Sequence, residues 1–262
     1  MSLLEFEYGL TLDFSAPVKD HYFVLRCLPL ESASQRCDEV KVEVAPHSRM
    51  WRSAFRGGDG AVRGVTEFAH ERFFVRTRGR VLALGGRDEE TPHPMYAAFT
   101  PSTAPSERMK EIAREYAGRE RKTKLASDIM ERVHSLLKFS PHSTEAGTTA
   151  ARALEMGCGV CQDYAHVFCG IMRTLGVPTR YVAGLGAAEG ETHAWNECYI
   201  DGRWLSYDPT LGEPSAESYV RFTVGTDAEH CALNRGVFVP LNPGDEIAQR
   251  QSVFARVIDL HR

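Results

Sequence analysis

No stretch of eighteen consecutive apolar residues occurs in the chain, so no segment has the length and composition of a membrane-spanning helix. Residues 1–10 hold Glu5 and Glu7 and no basic cluster, and so do not read as a signal peptide. Charge of one sign is missing too: 31 basic and 35 acidic residues leave a net charge of −4 among 262 residues. Such a balance gives no electrostatic footprint for nucleic acid or a lipid surface. Seven cysteines at uneven spacings are not a disulfide framework, and a reducing, cytoplasmic setting is expected. There is no internal repeat, no low-complexity tract, no phosphate-binding glycine loop and no D-x-D-x-D-G calcium loop. Neither a cofactor nor a metal is therefore expected.

What is present is an ordinary globular composition, 43% hydrophobic and 25% charged. Residues 3–84 read as short strands. Leu4, Phe6, Tyr8, Leu10, Leu12 and Phe14 alternate with polar or small residues, as do Val40, Val42 and Val44, and Gly57-Gly58-Asp59-Gly60 marks a turn. Arg49, Trp51, Arg52 and Arg56 read as a solvated strand face. These features predict an all-β, sandwich-like domain over 1–90. Pro92, Pro94, Pro101 and Pro105 predict a linker over 91–105. Helical periodicity follows, at Met109, Ile112, Ala113 and Tyr116, then at Leu125, Ile129, Val133, Leu136 and Leu137. The basic run at 119–124 between them reads as a charged surface. Further strands are expected at 218–224, 237–239 and 252–260. Residues 106–262 are thus predicted to form a second, α+β domain.

The chemistry concentrates in residues 157–210. After Cys161, apolar residues recur at Tyr164, Val167, Phe168, Ile171, Met172 and Leu175, one stripe of a 3.6-residue period, and Gly176 and Pro178 end it. Cys161 therefore falls in the first turn of a helix, where unpaired N–H groups and the positive end of the dipole favour an anion. His193 to Ile200 alternates, Asp201-Gly202 suits a type I′ turn, and 203–207 is the return strand. Such a hairpin brings His193 near Asp208. A thiol, an imidazole and a carboxylate are the parts of an activated-cysteine site.

Each part has a duller reading. Cys161 is one of seven cysteines, a strand histidine is commonly structural, and Asp208-Pro209 is a turn former. Cys158 makes C-x-x-C with Cys161, which admits redox or zinc chemistry. The first wants a preceding βαβ unit, and the second wants a distant ligand pair that is absent. His166 sits about 140° around the helix from Cys161 and reads as a buried residue. Trp195 shares the His193 strand face and either walls a substrate cleft or packs. The sequence 184–190 reads as a mobile loop at the cleft rim. The backbone N–H of Cys161 is the natural oxyanion donor.

The segments G-V-C-Q-D-Y-A-H, L-G-V-P-T-R-Y-V, H-A-W-N-E and Y-D-P-T together resemble the transglutaminase-like superfamily, and more narrowly the bacterial transglutaminase-like cysteine proteases. That resemblance implies a papain-like fold, with the cysteine on a helix packed against an antiparallel sheet that carries the histidine and the aspartate. It implies Cys161 as nucleophile, His193 as acid and base, and Asp208 as the orienting carboxylate. It also matches Gly225 and Asp227 in the loop after 218–224, while 228–231 departs from the usual pattern. The expected activity is thiol acyl transfer on a peptide or other amide substrate, with hydrolysis preferred over transglutamination. The alternative expectation is a catalytically silent module in which the strand-rich front half binds a protein partner.

Overall fold

The computed structural model describes all residues except 55–59, 85–87, 121–122, 187–189, 215–217 and 261–262. Arg56, most of the expected glycine turn, Arg121, Lys122 and part of the 184–190 loop lie outside the described residues.

The alternating front half forms β1 (Ser2–Leu25), β2 (Gln35–Ala45), β3 (Arg49–Ala54), β4 (Gly60–Thr66) and β5 (His70–Ala83). The even-numbered apolar residues of β1 from Leu4 to Phe14 are all buried, as a period of two requires of a half-covered strand. β4 and β5 run antiparallel along one side of β1, with register irregularities between Asp13 and Val18. β2 pairs with β5 and β3 with β4.

A short 3₁₀ turn (Pro94–Ala97) leads to α1 (Glu107–Glu115), α2 (Thr123–Leu136), β6 (Lys138–Phe139), α3 (Ala150–Met156), β7 (Cys158–Gly159) and α4 (Cys161–Thr174). β8 (Thr179–Leu185), β9 (His193–Ile200), β10 (Arg203–Tyr207) and β11 (Val220–Gly225) make an antiparallel sheet in the order β10-β9-β8-β11. Asp201 and Gly202 both have positive φ, 51° and 78°, so the β9–β10 turn is of the primed kind that its sequence suits. α4 is buried all round from Asp163 to Arg173. Its bulky stripe packs on α1, α2 and α3, while Ala165 and Cys169 on the other side meet Tyr181, Ala183 and Ala194 of the sheet. Small residues there let helix and sheet approach closely.

Three expectations about the layout need correction. Residues 91–105 do not hang free. Tyr96 meets the Trp204 ring edge-on at 5.4 Å, Ala150 N donates to Ser102 O at 2.8 Å, and Arg173 Nη1 to Thr103 Oγ1 at 2.9 Å. The stretch holds the 3₁₀ turn at Pro94–Ala97 and a turn closed by Thr103 N donating to Thr100 O at 3.0 Å, and Ser102 and Thr103 tie it to the core as a strap. The end of the expected second domain also leaves it. β12 (Asn234–Pro240) and β13 (Gln249–Asp259) run along the other side of β1, with Leu25 opposite Asn234 and Leu4 opposite Asp259. The front sheet is no self-contained sandwich either. Its apolar face is covered by Leu185, Val220 and Phe222 of the other sheet, and Phe222 meets Phe6 and Tyr8 edge-on at 5.9 and 5.7 Å. One apolar sheet face must be buried against something, and here the second half of the chain supplies it.

A buried ion network fastens β8, β9 and β11. Arg180 contacts Glu197 at 2.6 Å and Asp88 at 2.9 Å, Arg221 contacts Glu197 at 3.0 Å, and the Arg180 guanidinium lies 4.2 Å from the Trp204 ring centre. Burial works against ionised Glu197, but the two arginines outweigh it and hold its pKa down at about 2. Glu197→Ala leaves two buried cations without their shared partner and is expected to lower stability by about 3–5 kcal/mol in urea unfolding at pH 7. A depressed carboxylate stabilises above its unfolded pKa. The wild type should accordingly lose this contribution as the pH falls from about 4.5 to about 2, and the variant should show no such loss.

Candidate active site

The chain enters α4 through a pinned turn. β6 and β7 pair over two residues, and Lys138 N and Ser140 N donate to Gly157 O and Gly159 O at 2.9 and 3.0 Å. Asp163 Oδ2 accepts from Val160 N at 2.8 Å and from Thr144 Oγ1 at 2.6 Å, so a carboxylate from the first turn caps its own helix. A Cβ on Gly159 would stand 2.6 Å from that same oxygen, which is why this position is glycine. The backbone N–H groups of Cys161 and Gln162 have no backbone acceptor among the described residues. They are the free donors that a helix start provides.

His193 opens β9. Its Nε2 is 2.6 Å from Asp208 Oδ2, and the ring and the Cys161 thiol line the same cavity and interact electrostatically. With Nε2 engaged by the carboxylate, Nδ1 is the atom left for sulfur. Asp208 directly follows the last pair of the β9–β10 ladder, Asn196 with Tyr207, and is fully buried. Its Oδ1 accepts from Thr210 N at 2.9 Å and Leu211 N at 3.3 Å, and its Oδ2 accepts also from Tyr219 Oη at 2.7 Å. The three predicted residues are therefore brought together in one site, with His193 hydrogen-bonded to Asp208 and facing Cys161.

The electrostatics follow from these contacts. Burial alone would raise the Asp208 pKa, but the bonds from His193, Tyr219 and the backbone hold it below the usual carboxylate range. Burial alone would lower His193, yet the bond to Asp208 and the interaction with Cys161, together with their charges, raise it from 6.5 to about 10. The ring is thus an imidazolium at neutral pH, and its positive charge faces the site of the Cys161 sulfur. Burial first, and the Asp208 charge second, keep the Tyr219 phenol protonated and a donor.

The site opens into a cavity of about 630 Å³. Its walls come from Gln162 beside the thiol, from Tyr181 and Ala183 of β8, and from Ala228 and Cys231 of the loop after β11. Tyr8 of β1 and Gln251 and Val253 of β13 close the far side, so the front sheet is part of the site. The loop that holds Asp227 is fixed by bonds from His230 N to Asp227 Oδ1 at 2.9 Å and from Ala228 N to His166 Nε2 at 3.1 Å. His166 is fully buried, and burial holds its pKa at about 4, so it is a neutral structural acceptor there.

Trp195 does not line this cavity. It is 1% exposed and lies behind the site, its ring stacked 6.0 Å from His193 and meeting Tyr219 edge-on at 5.1 Å. Of the two readings of its strand face, packing is the correct one. Gly184 and Leu185 belong to β8 and not to a rim loop. A Cβ on Gly184 would stand 2.9 Å from the Trp195 ring and 2.1 Å from Val220 O. Tyr219 was not singled out from the sequence. It is eleven residues beyond Asp208, in a stretch with no recognisable motif, and only the fold brings its hydroxyl to the carboxylate. Among the described residues, no group of three or more His, Cys, Asp or Glu is arranged to hold a metal.

A group whose pKa is raised by folding stabilises fully below its unfolded pKa and stops doing so above its folded one. Wild-type stability is therefore expected to decline between about pH 6.5 and about pH 10 as His193 loses its proton. Asp208→Asn should flatten that slope, read by urea unfolding across the range. An equal slope in the variant would mean that the carboxylate does not hold the proton.

Comparison with known proteins gives two family matches. The model of the transglutaminase-like superfamily matches residues 110–209, and that of the bacterial transglutaminase-like N-terminal region matches residues 4–82. An uncharacterized protein of Mycobacterium leprae is 32% identical over 167 residues, covering 60% of this chain and 58% of that protein. An uncharacterized protein of Mycobacterium tuberculosis is 26% identical over 167 residues, covering 56% and 53%. The matched part thus spans little more than half the length of these relatives. The crystal structure of a "Putative Cysteine Protease" from Cytophaga hutchinsonii superimposes with a TM-score of 0.80 over 99% of this chain and 91% of that one. At 18% sequence identity this is a likeness of fold.

Proposed function

Because the chain belongs to the transglutaminase-like superfamily, we propose that it is a thiol acyl-transfer enzyme acting on amide bonds, in which Cys161, His193 and Asp208 work as a triad. The observation that carries this reading is the Cys161 thiol sharing a cavity with an imidazole that is hydrogen-bonded to a buried carboxylate.

In this reading the Cys161 thiolate attacks the amide carbonyl carbon. The C–S bond forms and the carbonyl oxygen becomes an oxyanion, met by the Cys161 backbone N–H at the start of α4. Collapse breaks the C–N bond, and His193 gives its proton to the leaving amine, which departs neutral. A thioester remains on Cys161. His193, now neutral, takes a proton from a water molecule whose oxygen attacks the thioester; the acid leaves and the thiolate–imidazolium pair returns. Asp208 accepts no proton in the cycle. It fixes the ring tautomer and stabilises the imidazolium, while Tyr219 holds the carboxylate in place. Hydrolysis is favoured over capture by an amine because a cavity of about 630 Å³, with Gln162, Thr144 and Gln251 on its walls, admits water beside the thioester. The substrate in this reading is a peptide or a related amide.

Incubation with a peptide pool, followed by mass spectrometry, should find an acyl group on Cys161 and on none of the other six cysteines. Cys161→Ala should abolish amide turnover, and Asp208→Asn should lower it by about 10³–10⁴-fold, as loss of an orienting carboxylate does in a triad. The thiol itself is tested by iodoacetamide. Wild-type Cys161 should be alkylated readily at pH 6–7, whereas in His193→Ala its reaction should rise only near pH 8.5, as for a free cysteine. A free-cysteine profile in the wild type would remove the basis of the proposal.

A further inference from the structure

One edge of the front sheet is open. β13 pairs with β1, and among the described residues no other strand lies on its far side. In an antiparallel ladder alternate residues aim both backbone polar groups at the partner, and the residues between aim theirs away. The phase of β13 can be read directly. Ser15 N donates to Ala248 O and Leu260 N to Leu3 O, both at 2.9 Å, so even-numbered residues face β1. Gly190 N donates to Ala255 O at 2.8 Å from the other side, so odd-numbered residues face outward. The register with β1 runs without a shift from Phe14–Gln249 to Leu4–Asp259, which carries that phase along the whole strand. Gln251 and Val253 are odd-numbered, and both line the cavity that contains Cys161 and His193. Two backbone N–H donors and two carbonyl acceptors therefore stand along the open edge beside the nucleophile.

We propose that this edge is the substrate-docking strand: an extended polypeptide adds to β13 at Gln251 and Val253, which carries its reacting amide to Cys161. The inference deepens the function proposed above and rests on it. It names the substrate class as a main chain in extended conformation, read by backbone pairing, in place of an isolated small amide. A peptide supplies the alternating donors and acceptors that such an edge matches, and pairing of this kind is indifferent to most side chains. Gly190 already places a main-chain N–H on the same edge, at Ala255, so the edge accepts backbone partners in this fold. The docking positions are also continuous with the cavity, which a strand added elsewhere on the sheet would not reach.

The test uses the full chain carrying Cys161→Ala, so that nothing is turned over, and a tryptic digest of casein as the probe. Residue-resolved amide exchange should show Gln251 and Val253 exchanging fast without peptide and at least about tenfold more slowly with it, while Ser252 and Phe254 stay slow throughout. Gln251→Pro removes one outward N–H without costing a bond to β1, and should weaken peptide binding about tenfold with Ser252 and Phe254 still protected. Unchanged exchange at Gln251 and Val253 with millimolar peptide overturns the proposal, as does full peptide affinity in Gln251→Pro. Protection that follows protein concentration and not peptide also overturns it, and assigns the edge to a second copy of the chain. Failure of the enzymatic reading shows separately, as a free-cysteine alkylation profile in the wild type.

Discussion

A carboxylate cut off from water must be surrounded by donors, and the site is arranged around that requirement at Asp208. Its two oxygens take hydrogen bonds from His193, Tyr219 and the backbone of Thr210 and Leu211. Removing any of these leaves part of a buried charge unanswered, which costs far more than an exposed ion pair returns. The same demand sets the state of the ring. A carboxylate that stays ionised holds a proton on the imidazole, and the imidazolium faces the sulfur. The order of the three groups is thus fixed by burial, with Trp195 and Tyr219 packing behind His193 to keep water out.

The helix that carries the thiol is held by the same logic on a larger scale. α4 has no solvent face along most of its length, so its start can shift only if both the helical layer and the sheet shift with it. The capping carboxylate of Asp163 and the short β6–β7 pair fix the turn just before Cys161. Precision at the nucleophile comes from rigid elements here. The loop after β11 and the edge of β13 form the walls where a substrate has to fit.

Much of this was legible in the sequence wherever local pattern decides structure. The stripe from Cys161 to Leu175, the Asp201-Gly202 turn and the alternation of β1 each became the element they imply. What the sequence hid were properties of the folded whole. Alternation shows that β1 has an apolar face but not that Phe222 covers it. Four prolines between 92 and 105 signal an absence of regular structure but not that Trp204, Ala150 and Arg173 would bind the stretch down. Strand periodicity put Trp195 on the face of His193 and could not tell a cleft wall from a packed layer. Tyr219 had no local signature at all, because its role consists of one long-range hydrogen bond.

The pairing of Leu4 with Asp259 has a consequence for how such a chain comes into being. During synthesis the open flank of β1 waits for β13, because its partner there lies far along the chain, Leu4 pairing with Asp259. A nascent chain that has already exposed Cys161, His193 and Asp208 still lacks the wall that Gln251 and Val253 provide. The reactive sulfur is therefore present before the groove beside it exists, and the two become one working cleft only once β13 has joined β1.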